Sequence, residues 1–177
     1  IRQVGAGVSY LHGLDPVVVH GDLKPDNVLI DADGVPKLID FGLSKIVEEE
    51  QGVAAVSFSS LRDAGNPRWI APELLLEEGV SRSCSTDTYS FGCVAFFIFT
   101  GDVPFKENSD SKLCVARHNG AQPMRSDADH PNLQKETYLA KILLSCWSKN
   151  PALRPRMSVV CQQLDPTYAK TGSTSLR

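Results

Sequence analysis

The sequence predicts a mainly α-helical chain with a small β-hairpin patch. After an initial helical pattern, short β-type runs fill the segment up to about residue 40, and helical patterns follow from about residue 72 to residue 164. No internal repeat or low-complexity linker interrupts residues 1–164, so we expect one unit with a single core. Residues 165–177 are polar and small, which predicts a disordered tail.

Composition excludes several classes of function. The 177 residues are 42% hydrophobic with a net charge of −3 and no basic run, so neither a nucleic-acid nor a membrane-surface partner is expected. The longest uninterrupted apolar run, residues 93–99, is far shorter than the ~18 residues of a membrane span. The five cysteines form no C-x-x-C pair, which favours reduced, buried thiols in an intracellular protein, cytoplasmic or nuclear. Nothing in the pattern indicates an oligomeric state.

The first elements follow from apolar spacing. Residues 1–13 place one apolar face at helical intervals, formed by Ile1, Val4, Val8 and Leu11. No N-cap residue precedes Ile1, so this helix is predicted to continue an element cut at the start of the sequence. Val17, Val18 and Val19 predict a short buried strand.

A strand, a turn and a second strand are predicted between residues 28 and 39. The turn, residues 31–34, reads Asp-Ala-Asp-Gly, which has the opening pattern of a calcium loop. A calcium loop needs further ligands and a closing glutamate, and none follows. We therefore favour a hairpin turn.

The rest of the chain predicts one loop and five helices. Residues 43–68 are polar, contain a serine cluster and suit a mobile loop. Helices are predicted over residues 72–78, 88–100, 113–117, 138–147 and 157–164, and the second of these is apolar nearly all round and so lies at the centre of the domain.

Three motifs point to the chemistry. They are Asp22-x-Lys24-x-x-Asn27, then Asp40-Phe41-Gly42, then Ala71-Pro72-Glu73. Two carboxylates, a lysine and an asparagine form the set needed to hold metal-bound phosphates beside a hydroxyl nucleophile. In this order and spacing, residues 1–164 resemble the C-terminal lobe of a eukaryotic protein kinase, the second half of a two-lobed α+β fold.

The resemblance implies a role for each motif residue. Asp22 would accept or orient the substrate hydroxyl, and Lys24 would neutralise charge on the transferred phosphoryl group. Asn27 and Asp40 would bind Mg²⁺, and Leu29 would pack beneath the adenine of ATP. These residues together would form the nucleotide site.

Other residues would support that site. Gly42 would allow a sharp backbone turn after Asp40. Among the structural residues, His20, Phe41 and Asp87 would form the stacked spine and its anchor. Glu73 would pair with Arg154 as a buried ion pair.

The resemblance also implies the substrate class. Lys24, two residues after Asp22, matches the serine/threonine pattern, and residues 65–73 and 87–92 look most like the tyrosine-kinase-like group. The expected activity is transfer of the ATP γ-phosphoryl group, with Mg²⁺, to Ser/Thr hydroxyls of protein substrates.

Some positions depart from the family pattern. Gly21 stands where many kinases carry an arginine that pairs with a phosphate on the activation loop, and Asn66 replaces a threonine that links Asp22 and Lys24. The loop serines Ser57, Ser59 and Ser60 are therefore weak regulatory candidates, and a solvated polar loop explains them equally well.

The sequence lacks the glycine-rich phosphate cover and the strand lysine of the N-terminal lobe. We therefore expect a C-terminal lobe alone, inactive by itself. The alternative is a non-catalytic kinase-like module that binds partners or acts as a scaffold.

Overall fold

A computed structural model describes residues 1–47, 66–77, 79–124, 133 and 137–165. Within these ranges the chain forms six α-helices and four three-residue strands, which confirms the mainly α prediction. In chain order these elements are α1 (Arg2–His12), β1 (Val17–Val19), β2 (Val28–Ile30), β3 (Pro36–Leu38), β4 (Lys45–Val47), α2 (Pro72–Leu76), α3 (Cys84–Thr100), α4 (Asp110–His118), α5 (Thr137–Cys146) and α6 (Met157–Gln163). Single 3₁₀ turns cover Pro25–Asn27 and Pro151–Leu153.

The predicted hairpin is present. Strands β2 and β3 pair antiparallel, with Val28 opposite Leu38. The Asp31 carboxylate accepts hydrogen bonds from the backbone N–H groups of Asp33 (3.0 Å) and Val35 (2.8 Å), so it closes the turn. A carboxylate used in this way stabilises the hairpin, and the turn interpretation is the right one.

The loop prediction for residues 43–68 is wrong at its start. Residues 45–47 form β4, which pairs antiparallel with β1 so that Val18 lies opposite Ile46. A three-residue strand whose partner lies some 26 residues earlier in the chain leaves no local period to read. This pairing ties the segment after Gly42 to the strand that leads into the motif at residue 20.

The central helix α3 begins four residues earlier than predicted. Ser83 caps it, because its side chain accepts from the Thr86 N–H while the Thr86 hydroxyl accepts from the Ser83 N–H. A capping box usually has Glu or Gln at the position that Thr86 occupies. The sequence pattern therefore did not indicate that the helix begins at Cys84. The helix ends at Gly101, a left-handed residue with φ of 76°.

The core lies between α1, α3, α5 and α6. Helix α1 packs against α6, and α3 packs against α5. Large buried side chains of this core include Phe91, Phe96, Leu143 and Met157. The cysteines are free thiols, as predicted, but only Cys93 and Cys146 are fully buried; the other three are half-buried.

The remaining boundaries shift by a few residues. Helix α2 ends at Leu76, α4 is longer at both ends than predicted, and α5 and α6 each lie within a residue of their predicted bounds. The serine cluster and the predicted tail from residue 166 lie outside the described residues. No described helix is long and apolar enough to cross a membrane.

Candidate active site

The segment between β1 and β2 gathers three of the motif side chains. The Lys24 ammonium lies 2.6 Å from Asp22 Oδ2. Asn27 donates through Nδ2 to the Asp22 backbone carbonyl (2.8 Å) and to Asp22 Oδ2 (3.1 Å). Asp22 is therefore held from two sides through one of its carboxylate oxygens.

The electrostatics of Lys24 link this segment to Asp40. The hydrogen bond to Asp22 raises the Lys24 pKa and outweighs burial, which lowers it. The carboxylates of Asp40 and Asp26 raise the Lys24 pKa further through space. The ammonium therefore stays positively charged beside these carboxylates. A positive charge at this place suits phosphate binding.

Asn27 and Asp40 carry oxygen atoms that suit Mg²⁺. Asn27 is buried, and among the described residues its Oδ1 accepts no hydrogen bond. Asp40 is exposed, and from the described part of the chain its Oδ1 accepts one hydrogen bond, from the Gly42 N–H at 3.2 Å. Two hard oxygen donors with open coordination positions fit an ion that keeps waters and phosphate oxygens as its other ligands. No described group of three or more His, Cys, Asp or Glu side chains could hold a metal ion.

The backbone turn that follows Asp40 has its left-handed residue at Asp40 and not at Gly42. Asp40 itself occupies the left-handed region, with φ of 62°, and Gly42 does not. A Cβ on Gly42 would lie 3.1 Å from Asp40 Oδ1, so glycine at this position leaves room for the carboxylate. Gly42 lies within the turn closed by the Ser44 N–H and the Phe41 carbonyl (3.1 Å), while the positive φ falls on the aspartate, a residue type that tolerates it.

The rings of His20 and Phe41 are in contact, and the Asp87 carboxylate binds the backbone at His20. The two rings have centroids 5.0 Å apart. The Asp87 carboxylate accepts from the backbone N–H groups of His20 (2.8 Å) and Gly21 (2.9 Å). A buried carboxylate at the start of α3 therefore fixes the backbone just before Asp22.

His12 also binds this carboxylate, although no motif in the sequence includes it. Its Nε2 lies 2.9 Å from Asp87 Oδ2. Burial alone would lower the pKa of His12, but the hydrogen bond and charge of Asp87, together with the neighbouring Cys84, outweigh it and raise the pKa to about 9. His12 is therefore charged at neutral pH and compensates the buried Asp87.

Two further side chains hold the same backbone and carry no motif signal. Ser44 donates through Oγ to the His20 carbonyl at 3.1 Å. Arg82 donates through Nε to the Gly21 carbonyl at 2.7 Å. Both act through contacts between distant parts of the chain, which spacing in the sequence does not show.

Glu73 and Arg154 are in direct contact. The guanidinium meets both carboxylate oxygens, at 2.5 and 2.7 Å, and both side chains are almost completely buried. Arg154 also donates to the carbonyls of Ser85 and Ser148 and lies 5.0 Å from the Tyr89 ring centroid. This pair connects α2 to the segment before α6.

Among the described residues, the Asn66 side chain makes no hydrogen bond to Asp22 or Lys24. Asn66 Oδ1 accepts instead from the Arg68 N–H at 2.9 Å. Arg117 stabilises residues 67–70, because its guanidinium donates to the carbonyls of Pro67 and Ile70. The amide that stands in the threonine position thus makes a local turn.

Comparisons with known proteins identify the family that this chain resembles. The family described as "Protein kinase domain" matches residues 1–164. A "Putative serine/threonine-protein kinase/receptor R831" of Acanthamoeba polyphaga mimivirus is 33% identical over 159 residues, which cover 89% of this chain and 9% of that protein. "Serine/threonine-protein kinase CTR1" of Arabidopsis thaliana is 32% identical over 164 residues, 93% of this chain and 18% of that protein.

A third relative carries a different description. "Dual specificity protein kinase shkA" of Dictyostelium discoideum is 33% identical over 171 residues, 93% of this chain and 29% of that protein. The chain therefore spans less than a third of the length of each of these relatives.

Proposed function

This chain belongs to the protein kinase family, and we propose that it forms the phosphoryl-transfer wall of a kinase active site. The observation that carries the proposal is the contact of Asp22 Oδ2 with both Lys24 Nζ (2.6 Å) and Asn27 Nδ2 (3.1 Å). The proposed reaction is transfer of the γ-phosphoryl group of ATP to a Ser or Thr hydroxyl of a protein.

Asp22 is the group that receives the substrate. Its Oδ2 is occupied by Lys24 and Asn27, whereas its Oδ1 accepts no hydrogen bond from a described residue. A substrate hydroxyl that donates to Oδ1 would be oriented for attack and could release its proton to the carboxylate. Lys24 would then face the transferred phosphoryl group, where an ammonium offsets developing negative charge.

Asn27 and Asp40 would hold Mg²⁺ through Asn27 Oδ1 and the Asp40 carboxylate. The ion would bridge phosphate oxygens of ATP and offset their charge. Leu29, which is 53% exposed on β2, offers an apolar surface for the adenine ring. His20, Phe41 and Asp87 would then keep Asp22 and Asp40 in register.

The substrate class rests on Lys24 and on the relatives. Two of the compared relatives are described as serine/threonine kinases, and one as a dual specificity kinase. We assign Ser/Thr to this chain and place it in the tyrosine-kinase-like group from its residues 65–73 and 87–92. Tyrosine phosphorylation by this chain would contradict that assignment.

The second candidate function is a non-catalytic kinase-like module. It is favoured by Asn66, whose side chain makes a local turn and no link to Lys24, and by the absence of G-x-G-x-x-G from the sequence. Phosphoryl transfer needs groups on both sides of the nucleotide. We therefore expect the 177 residues alone to be inactive.

The experiment measures transfer of labelled phosphate from ATP to mixed Ser, Thr and Tyr peptides, with Mg²⁺ or with a chelator. It uses this chain and a version extended by its upstream coding sequence. Magnesium-dependent labelling of Ser/Thr peptides by the extended version supports the proposal. No labelling by either version favours the binding module.

A thermal-shift titration tests the metal ligands. Asp40→Asn should abolish the magnesium-dependent stabilisation by ATP, whereas Asp33→Asn, an exposed substitution in the β2–β3 turn, should leave it intact. Equal stabilisation of the two variants would remove Asp40 from the site.

A further inference from the structure

Gly21 has no space for a side chain. Its φ is 82°, which already favours glycine. A Cβ at this position would also lie 2.5 Å from Arg82 Cδ and 2.6 Å from the Leu43 carbonyl oxygen. The space where residue 21 would project is therefore filled by Arg82, which arrives from the segment before α3.

Arg82 is nearly buried, at 7% exposure, and uses its Nε to donate to the Gly21 carbonyl at 2.7 Å. Arg82 makes at least one further interaction besides this hydrogen bond. Burial lowers the pKa of Arg82, while the nearby charges of Asp22 and Asp87 favour its charged form. A cation is thus placed beside the two carboxylates that order this part of the chain.

The hydrogen bonds of Arg82 and its neighbours fix two consecutive peptide groups. In the peptide between His20 and Gly21, Ser44 binds the oxygen (3.1 Å) and Asp87 binds the nitrogen (2.9 Å). In the next peptide, which leads directly into Asp22, Arg82 binds the oxygen (2.7 Å), and His20 Nδ1 accepts from the nitrogen (3.3 Å). The direction of the Asp22 Cα–Cβ bond depends on this second peptide.

We propose that Arg82 is a positioning residue for Asp22: it occupies the side-chain space beside Gly21 and fixes the peptide group that carries Asp22. An arginine from the segment before α3 thereby lies next to the catalytic aspartate. This arrangement requires glycine at position 21, because a side chain there would collide with Arg82. The consequence for activity rests on the proposed function, whereas the consequence for the backbone does not.

The test replaces Arg82 by Met, which keeps the length of the side chain and removes its charge and donors, and by Lys, which keeps the charge. Hydrogen exchange read by mass spectrometry should show that residues 19–23 exchange about fivefold faster in Arg82→Met, the factor that one lost hydrogen bond gives. Arg82→Lys should restore part of the protection. The matched control is Arg117→Met, another buried arginine bound to backbone carbonyls, which should affect residues 66–71 and leave residues 19–23 unchanged.

In the upstream-extended version, Arg82→Met should lower kcat about 10- to 100-fold and leave KM for ATP within about twofold, because Asp22 is displaced while the nucleotide groups are not. Unchanged exchange of residues 19–23 in Arg82→Met, or equal exchange in Arg117→Met, would overturn the inference. If the unsubstituted chain transfers no phosphate, the proposed function fails, and hydrogen exchange still decides the role of Arg82.

A second variant tests the occupation of space. Gly21→Ala should destabilise the chain less in an Arg82→Ala background than in the unsubstituted chain, because the contact at 2.5 Å is then gone. An equal loss in both backgrounds would show that Arg82 does not exclude a side chain at residue 21.

Discussion

Breaking the Glu73–Arg154 pair should be among the most damaging single changes in this chain. In Glu73→Leu, Arg154 remains buried and keeps its bonds to the carbonyls of Ser85 and Ser148 and its contact with the Tyr89 ring, but no carboxylate partner among the described residues. Removing one partner of a buried pair costs about 3–5 kcal/mol, because the other charge is left without compensation. For a chain of this size each kcal/mol lowers Tm by about 2–4 °C, so we expect a loss of at least about 6 °C.

The double variant separates the pair from general packing. Arg154→Met should cost at least as much as Glu73→Leu, since it leaves a buried carboxylate and two carbonyls without donors. Combining the two substitutions removes both charges and should cost less than the sum of the single losses by about 2 kcal/mol or more.

Urea denaturation of the four chains measures these free energies. The control is Lys106→Met, which breaks an exposed contact of 2.7 Å with Asp102 and should cost well under 1 kcal/mol. If Glu73→Leu costs no more than this control, or the two losses simply add, the pair does not hold α2 in place and the reasoning fails.

Two further predictions concern the core and the pH dependence. Gly92→Ala should cost about 1–3 kcal/mol by overpacking, because the new Cβ would lie 2.7 Å from Trp147 Nε1, whereas Gly7→Ala, a half-buried helical position whose Cβ would meet only the flexible Leu38 side chain (3.2 Å), should cost less; equal unfolding midpoints would contradict this. The raised pKa of His12, about 9, predicts that the stabilisation from its bond to Asp87 is complete below pH 6.5 and is lost as the pH rises through 9, by about 3 kcal/mol in total. His12→Gln should flatten this decline in urea midpoints measured between pH 6 and pH 10, and an unchanged decline would exclude His12 as its source.

The sequence was sufficient for features that depend on local patterns. Apolar spacing predicted α1, and the Asp-Ala-Asp-Gly turn predicted the β2–β3 hairpin. The motif spacing identified the residues that surround Asp22, because a loop of six residues brings Lys24 and Asn27 back to it.

Features that depend on distant contacts were beyond local reasoning. Strand β4 exists because β1 offers it a partner, and its three residues alone have no distinguishing period. Arg82 and Ser44 bind the Gly21 and His20 carbonyls from distant positions in the chain. Residue spacing in the sequence does not predict these two hydrogen bonds. The left-handed backbone falls on Asp40, a residue type that tolerates it, and not on the nearby Gly42.

The role of His12 also depends on a distant contact. A single histidine on a helix is most often a packing residue, and only the position of Asp87, 75 residues later, gives it a charged partner. Its role follows from the tertiary structure of α1 against α3.

The most direct test of the central claim compares two aspartates that lie four positions apart in the same loop. Asp22 contacts Lys24 and Asn27, whereas Asp26 is exposed on the 3₁₀ turn and makes no hydrogen bond through its side chain with a described residue. In the upstream-extended version, kcat for a Ser/Thr peptide should fall about 10²- to 10⁴-fold in Asp22→Asn, the usual effect of removing a general base, and stay within about twofold in Asp26→Asn. Equal rates in the two variants would contradict the assignment of Asp22 as the residue that receives the substrate hydroxyl.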